Sequence, residues 1–295
     1  MPLNHFRSIA NLSGTASLNF ITLILLALLG VFSGFLGGLL GVGGGIIIVP
    51  ILILVFDLQA NQAVGTSLVM IIFTALSATF AYQRQKRLDW KVGIMGASVT
   101  VPGAAIGAYA TSFFSSEVLT IILGIFLFFI AAFMFRRSYR TGNQKKKTRT
   151  QGGSRTGRLV WHRKIIDAYG SVFQYDADML SGLALLFFGG LASGFFGIGG
   201  GLIVVPILMS VVGLPMHLAV ATSMLTMIFT SISGVGVHIM LGDVLFEYAA
   251  PLVVGIVIGA QLGARTAKRL RSVSLERVFA VVVFVIGIVL IATRL

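Results

Sequence analysis

The chain has 295 residues, of which 57% are hydrophobic and 11% are charged, and its mean hydropathy is +0.99. This composition excludes an ordinary soluble domain and predicts an integral membrane protein, and the absence of cysteine excludes disulfides, thiolate metal sites and redox thiols. The basic residues that give the net charge of +13 lie between apolar spans, so they indicate membrane topology and not nucleic-acid binding.

A short N-terminal tail, residues 1–17, precedes the apolar part of the chain. Two apolar stretches, 45–56 and 201–212, follow glycine runs and are shorter than the roughly 20 residues needed to cross a bilayer. The sequence predicts an all-α polytopic membrane protein. Its other apolar stretches approach or exceed the spanning length: 18–36, 62–83, 92–114, 117–135, 179–197, 216–240, 246–264 and 275–293.

Much of the apolar sequence occurs twice. GVGGGIIIVP at residues 41–50 returns as GIGGGLIVVP at 197–206, which is 156 positions later (197 − 41), and the pairing continues without a gap through AVGTSL (63–68) and AVATSM (219–224). An internal duplication accounts for this pattern. It divides the chain into repeats of five apolar segments each, at 18–135 and 179–295, joined by a linker at 136–178.

The basic residues predict the orientation of the two repeats, because Lys and Arg favour the cytoplasmic side of short loops. Loops near 112–117 and 241–246 contain no Lys or Arg and are expected outside the cell. The basic loop 84–91 corresponds by repeat position to the second of these external loops, so the halves are predicted to be inverted. Inversion requires an odd number of membrane crossings in each half. Either five crossings or three crossings plus a re-entrant hairpin would meet this requirement. The clusters expected in the cytoplasm are 84–91, 136–164 and 265–277.

The linker, residues 136–178, contains eleven of the 22 basic residues of the chain. We expect a solvated cytoplasmic segment that is attracted to anionic lipid headgroups. An alternative for LVWHRKIIDAYGSVF (159–173) is an interfacial helix with a regulatory or partner-binding role.

The two glycine runs predict breaks in membrane helices, because glycine permits the backbone angles of a tight reversal. A break exposes N–H and C=O groups, at a cost of several kcal/mol each in hydrocarbon, so it must lie beside protein or a watery cavity. The short helix that follows each break would point its free N–H groups back at the break, where they attract anions. Inverted repeats would bring both sites to the middle of the bilayer. The predicted anion site contains Gly43, Gly44, Gly45, Gly199, Gly200 and Gly201.

Hydroxyl groups at matched positions could add donors to this site. Thr66, Ser67, Thr222 and Ser223 lie near the start of the segment after each break, and hydroxyls suit the recognition of oxyanions. Gln261 is a further candidate contact. The alternatives are that the glycines only permit close helix packing and that the hydroxyls bond back to helix carbonyls.

Titratable residues offer few candidates for coupling transport to a cation or proton. Asp57 and Asp89 lie near segment ends, and Asp243 and Glu247 are expected to cap a helix. His238 occupies the repeat position of Tyr82 on an apolar face. We interpret it as a structural histidine, with a proton carrier as the alternative.

The paired glycine-rich break, followed each time by proline and then by Thr-Ser, resembles the TauE/SafE family of sulfite exporters and toluenesulfonate uptake permeases. The likeness covers almost the whole chain outside the N-terminal tail and the basic linker. The resemblance implies a multi-pass permease of the bacterial inner membrane for sulfite, sulfoacetate or other organosulfonates. As partners of this chain we expect the bilayer, a small anion, a coupling proton or cation and a second copy in a homodimer, and no nucleic acid.

Other functions remain open at this stage. The protein could carry a different small anion, or it could be an anion channel that uses the same breaks. An intramembrane enzyme is not expected, because Ser233 and His238 are five residues apart and no oxyanion partner is evident. We therefore expect no catalytic residues, no cofactor and no metal, and the glycine runs lack the Gly-Lys-Ser/Thr of a nucleotide loop.

Overall fold

A computed structural model describes residues 20–142 and 160–267. The N-terminal tail and the last predicted apolar stretch, 275–293, lie outside the described residues. The elements are α1 (Phe20–Leu40), α2 (Gly45–Leu54), α3 (Ala60–Arg84), α4 (Trp90–Ala110), α5 (Ser116–Gly142), β1 (Val160–Ile166), β2 (Val172–Asp178), α6 (Met179–Phe196), α7 (Gly201–Ile207), α8 (Met216–Met240) and α9 (Phe246–Thr266).

Six of the described helices are long and apolar enough to cross a membrane: α1, α3, α4, α6, α8 and α9. Their outward faces carry large apolar side chains, as at Phe20, Phe188 and Val254, which are all more than 60% exposed. A face of this kind suits lipid and not water. The prediction of a polytopic helical membrane protein is confirmed.

Long helices of one half pack along long helices of the other half. α1 packs along α9, and α4 packs along α6. Glycines make both contacts close: there is no room for a Cβ at Gly259 against the Val31 carbonyl, nor at Gly103 against the Phe187 carbonyl. Small residues at such interfaces let helix backbones approach, which is how helices associate in lipid. Both contacts are related by the repeat offset of 156, so they are the same contact made twice.

Hydrogen bonds between the halves repeat in the same way. Ser77 donates to the Val257 carbonyl at 2.8 Å, and its counterpart Ser233 donates to the Val101 carbonyl at 2.9 Å. The corresponding helices α3 and α8 run antiparallel, because Gly65 lies against His238 while Leu68 lies against Gly234. Inverted repeats require this antiparallel contact between counterparts, and the inversion of the halves relative to the membrane stays a prediction.

The end of the linker forms a β-hairpin. β1 and β2 pair antiparallel, with Arg163 opposite Tyr175, and the exposure of β1 alternates with a period of two residues. The turn is closed by Asp167, whose Oδ1 accepts from the N–H groups of Tyr169 and Ser171. The alternative of an interfacial helix over 159–173 is therefore wrong, since period-two alternation with a Gly turn favours strands. α5 also continues to Gly142, seven residues past the predicted start of the linker (142 − 136 + 1).

The hairpin docks on the basic loop between α3 and α4 through two ion pairs whose carboxylates are buried. Arg163 donates to both carboxylate oxygens of Asp89, at 2.9 and 2.8 Å, and Arg87 pairs with Asp167 at 3.0 Å. Burial alone would raise the pKa of Asp89, but hydrogen bonds from Arg163, Tyr175 and the Val92 N–H hold this pKa below its usual value. The hairpin is thus fixed to one end of the helix bundle.

Candidate functional site

Both glycine runs interrupt the helices, as predicted. α1 ends at Leu40, and α2 starts at Gly45 after residues that have φ values of 78° to 82° at Gly41, Gly43 and Gly44. The second break has φ values of 66° to 73° at Gly197, Gly199 and Gly200. These left-handed conformations favour glycine, because a Cβ would clash with the following carbonyl group.

The two breaks touch one another. There is no room for a Cβ at Gly45 beside the Gly197 carbonyl, nor at Gly201 beside the Gly41 carbonyl. Residues 41–50 and 196–202 are buried, so both breaks lie within protein and not against lipid. The structure therefore brings together the six glycines predicted for the site.

Two apolar side chains fill the space beside the breaks. Ile71 on α3 and its counterpart Met227 on α8 both lie against Gly43 and Gly199. An anion located between the breaks would have to displace these side chains. They are residues that sequence reasoning missed, because a lone Ile or Met in an apolar helix gives no signal.

The short helices start without side-chain caps. Gly44 and Gly200 occupy the N-cap positions of α2 and α7, and neither helix start receives a side-chain hydrogen bond. The first N–H groups of a helix lack the usual partner one turn earlier. Those of Ile47 and Ile203 bond the Gly44 and Gly200 carbonyls, so the N–H groups ahead of them in each short helix remain as donors. α7 runs on directly into a π-helical turn at Leu208–Val212, which makes the segment comparable in length to α2.

Ser193 adds a hydroxyl that the sequence analysis did not single out. Its side chain is fully buried, and its Oγ has no hydrogen-bond partner in the residues that the structure describes. It lies next to Gly200, since a Cβ built there would be 3.5 Å from the Ser193 Oγ. Its repeat counterpart is Gly37, so the repeat pattern gave no hint of it.

The predicted serines hold the breaks together. Ser67 donates to the carbonyl of Gly197 at 2.6 Å, and Ser223 donates to the carbonyl of Gly41 at 3.0 Å. Each serine also lies within bonding distance of a carbonyl one turn earlier in its own helix. α3 and α8 therefore bring both hydroxyls to the site, where each one contacts the break of the other half.

The predicted threonines bind backbone groups of the loops. The Thr66 Oγ1 accepts from the N–H of Leu245 at 3.0 Å, and the Thr222 Oγ1 accepts from the N–H of Asp89 at 3.2 Å. These two bonds are again equivalent at the offset of 156. Gln261 donates to the Ser77 carbonyl at 3.1 Å, so its amide joins α9 to α3.

Titratable residues near the breaks differ between the halves. Tyr82 donates to the carbonyl of Gly38 at 2.6 Å, whereas His238 lies 3.3 Å from the carbonyl of Gly194 and 3.0 Å from the carboxylate of Asp243. The expectation that Asp243 caps a helix is wrong, because α9 has Leu245 at its N-cap and no side-chain cap. Instead Asp243 binds the histidine, five residues earlier in the chain.

Two further chemical possibilities find no support in the described residues. Ser233 donates to the Val101 carbonyl, and its hydroxyl does not contact His238, so these residues form no dyad. No group of three or more His, Asp or Glu side chains suited to a metal ion occurs in 20–142 and 160–267.

The family follows from a comparison of the whole chain. The family model described as sulfite exporter TauE/SafE matches residues 26–290, which include both breaks and both Thr-Ser pairs. This chain belongs to the TauE/SafE sulfite exporter family. The TauE/SafE protein described here is therefore a membrane transporter with several transmembrane helices.

Similar proteins are named as transporters in bacteria and archaea. The probable membrane transporter protein YunE of Bacillus subtilis is 34% identical over 90% of this chain and 96% of its own length. The probable membrane transporter protein MJ0441 of Methanocaldococcus jannaschii is 27% identical over 91% of this chain and 95% of its own length. No solved structure matches this TauE/SafE chain.

Proposed function

We propose that this protein is a secondary transporter for small sulfur-containing oxyanions such as sulfite or organosulfonates, in the inner membrane of a bacterium. The anion would bind at the paired breaks near the middle of the bilayer. The observation that carries the proposal is the contact of each buried, uncapped helix start with the break of the other half, together with the unpartnered hydroxyl of Ser193 beside one start.

The electrostatics of the breaks support an anionic ligand. A helix N-terminus has a partial positive charge of about half an elementary charge and several free N–H donors. The apolar spans have no Lys or Arg near the breaks, so these neutral donors would replace the hydration of the anion. A sulfonate or sulfite group offers several oxygens, which suits donors that converge from two directions.

Access to the site would depend on Ile71 and Met227. Both side chains pack on the glycines of both breaks, and they come from helices that the repeat relates to one another. Loading would therefore require these side chains to move. A transporter needs such a closure on at least one side at any time, in contrast to an open pore.

A thermal-shift screen of purified protein tests the ligand class. Sulfite, thiosulfate, sulfate, taurine, sulfoacetate and isethionate are the probes, since a bound ligand raises the apparent stability. We expect a shift with one or more sulfur oxyanions and none with matched chloride. A shift that appears only with a different anion would overturn the substrate class while leaving an anion transporter.

Flux through proteoliposomes tests the mode of action. A flux of radiolabelled anion that saturates and is accelerated by unlabelled anion on the opposite side indicates a carrier. A flux that shows neither property indicates a channel. Gly44→Leu should abolish flux, because its φ of 82° and the nearby Ser33 carbonyl leave no place for a side chain. Gly236→Leu is the matched control, because a Cβ at Gly236 meets nothing within 4 Å. Size-exclusion chromatography shows whether each variant remains folded.

A further inference from the structure

His238 and Tyr82 perform the same structural task in the two halves. Each binds a carbonyl in the last turn of the helix before a break, that of Gly194 in α6 and that of Gly38 in α1. The last four carbonyls of a helix have no partner within that helix, so they need another donor. Tyrosine supplies an O–H that stays protonated at neutral pH, whereas histidine titrates near neutral pH.

Both ring nitrogens of His238 face hydrogen-bond acceptors. Its Nδ1 faces the carboxylate of Asp243 at 3.0 Å, and its Nε2 faces the carbonyl of Gly194 at 3.3 Å. Both groups are acceptors, but a neutral imidazole has only one N–H. Both contacts become hydrogen bonds when the pair holds one more proton, either as imidazolium with carboxylate or with that proton shared with Asp243.

Asp243 is the charged group that faces His238 in the described structure. α6 has no titratable side chain, and α3 presents Gly65 to the histidine, with Tyr82 and Arg84 at its opposite end. α4 contacts the Gly194 region through Ala104 and has its titratable residues at its two ends. The imidazole is fully buried, and the Asp243 side chain is 14% exposed, so the carboxylate is the part of the pair that reaches the protein surface.

We propose that His238 and Asp243 form the proton site that couples proton movement to anion transport. The inference deepens the proposed function, on which it rests. A proton enters by way of Asp243, adds to the pair and completes the bond to the Gly194 carbonyl beside the second break. Loss of the same proton returns neutral imidazole and carboxylate, and it leaves His238 with one N–H for its two acceptors, Asp243 and the Gly194 carbonyl.

The repeat itself explains why one half would carry this site. The counterpart of Asp243 is Arg87 (243 − 156), which is ion-paired to Asp167 of the hairpin, and the counterpart of His238 is Tyr82. The first half thus has a tyrosine hydroxyl at the helix end where the second half has an imidazole paired with a carboxylate. Buried ionisable residues in a membrane protein commonly mark proton or ion pathways.

The test compares two kinds of isethionate flux in proteoliposomes. Isethionate is a strong acid, so its own charge does not change with pH. Uptake driven by an inward proton gradient is measured beside counterflow of labelled isethionate at equal pH. We expect His238→Tyr, which keeps a donor for Gly194 but does not titrate, to lower the ratio of gradient-driven uptake to counterflow. Tyr82→Phe is the control, and it should leave this ratio unchanged.

Each outcome decides a separate question. If the ratio of gradient-driven uptake to counterflow is unchanged in His238→Tyr, the coupling role is overturned. This includes an equal loss of both fluxes, which would indicate that His238 makes a structural bond only. If the wild-type protein shows no isethionate flux, the proposed substrate class is in question for this probe. The proton site is then decided by the pH dependence of the melting temperature without any anion, which should be flatter in His238→Tyr and in Asp243→Asn than in the wild type.

Discussion

Replacing Ser67 by alanine tests whether the hydroxyls near the breaks hold the two halves together. The Ser67 Oγ donates to the Gly197 carbonyl at 2.6 Å, and both residues are buried. The substitution leaves that carbonyl without its donor, in a place that water does not reach. A buried polar group that loses its partner costs about 1–3 kcal/mol, so we expect the free energy of unfolding to fall by that amount.

The assay is reversible denaturation in detergent micelles, with the free energy of unfolding compared between variants. Ser98→Ala is the matched control, because the Ser98 hydroxyl is exposed and bonds only the Met95 carbonyl in its own helix. This control should change stability by less than about 0.5 kcal/mol. Equal effects of the two substitutions would refute the reasoning, since the bond between the halves would then contribute nothing.

The remaining predictions concern the loops, the closure and the hairpin. The double substitution Thr66→Val with Thr222→Val removes the acceptors for two loop N–H groups. It should lower both the stability of the protein and its affinity for the anion, as measured by a thermal-shift titration. Wild-type values would contradict a role of these hydroxyls at the site. Met227→Ala should extend flux to larger sulfonates, because it opens space at both breaks, and an unchanged size limit would show that Met227 is no barrier. Asp89→Asn should weaken the hairpin and speed hydrogen exchange of its amides. In the wild type, the pKa of Asp89 in the folded protein lies below the usual carboxyl pKa of about 4. The charged Asp89 therefore stabilises the docked hairpin above that usual pKa, and this stabilisation should be lost as the pH falls through the lower, folded pKa. Amide exchange in the hairpin that does not respond to acid would contradict this expectation.

The repeated parts of the fold could be predicted from the sequence. The offset of 156 located both breaks and both Thr-Ser pairs, because each of these features occurs twice and chance rarely repeats a pattern. The helix interruptions at Gly41 and Gly197 followed from glycine runs alone. The glycines interrupt the helices and also pack closely on one another, whereas their role in anion binding stays a prediction.

The parts that occur once could not be predicted in this way. The hairpin has only seven residues in each strand, and it directly follows the strongly basic part of the linker, so the whole segment resembles a solvated linker. The partner of Asp243 was missed because a helix-cap interpretation needs only local sequence, whereas the bond to His238 depends on how the loop folds back. Ser193 is one hydroxyl among several in apolar helices, and only burial distinguishes it.

The differences between the halves bear on how such a transporter would work. Two identical inverted halves would give the inward-open and outward-open states the same free energy, because each half would adopt the conformation of the other. Here Asp89, before α4, binds the docked hairpin, whereas the corresponding residue before α9 is the uncharged Leu245. The second half has the His238–Asp243 pair where the first has tyrosine and arginine. With the predicted inversion, ion pairs that are present in only one half would stabilise one state more than the other, so the hairpin contacts and the proposed proton site at His238 and Asp243 are the features able to set the balance between states.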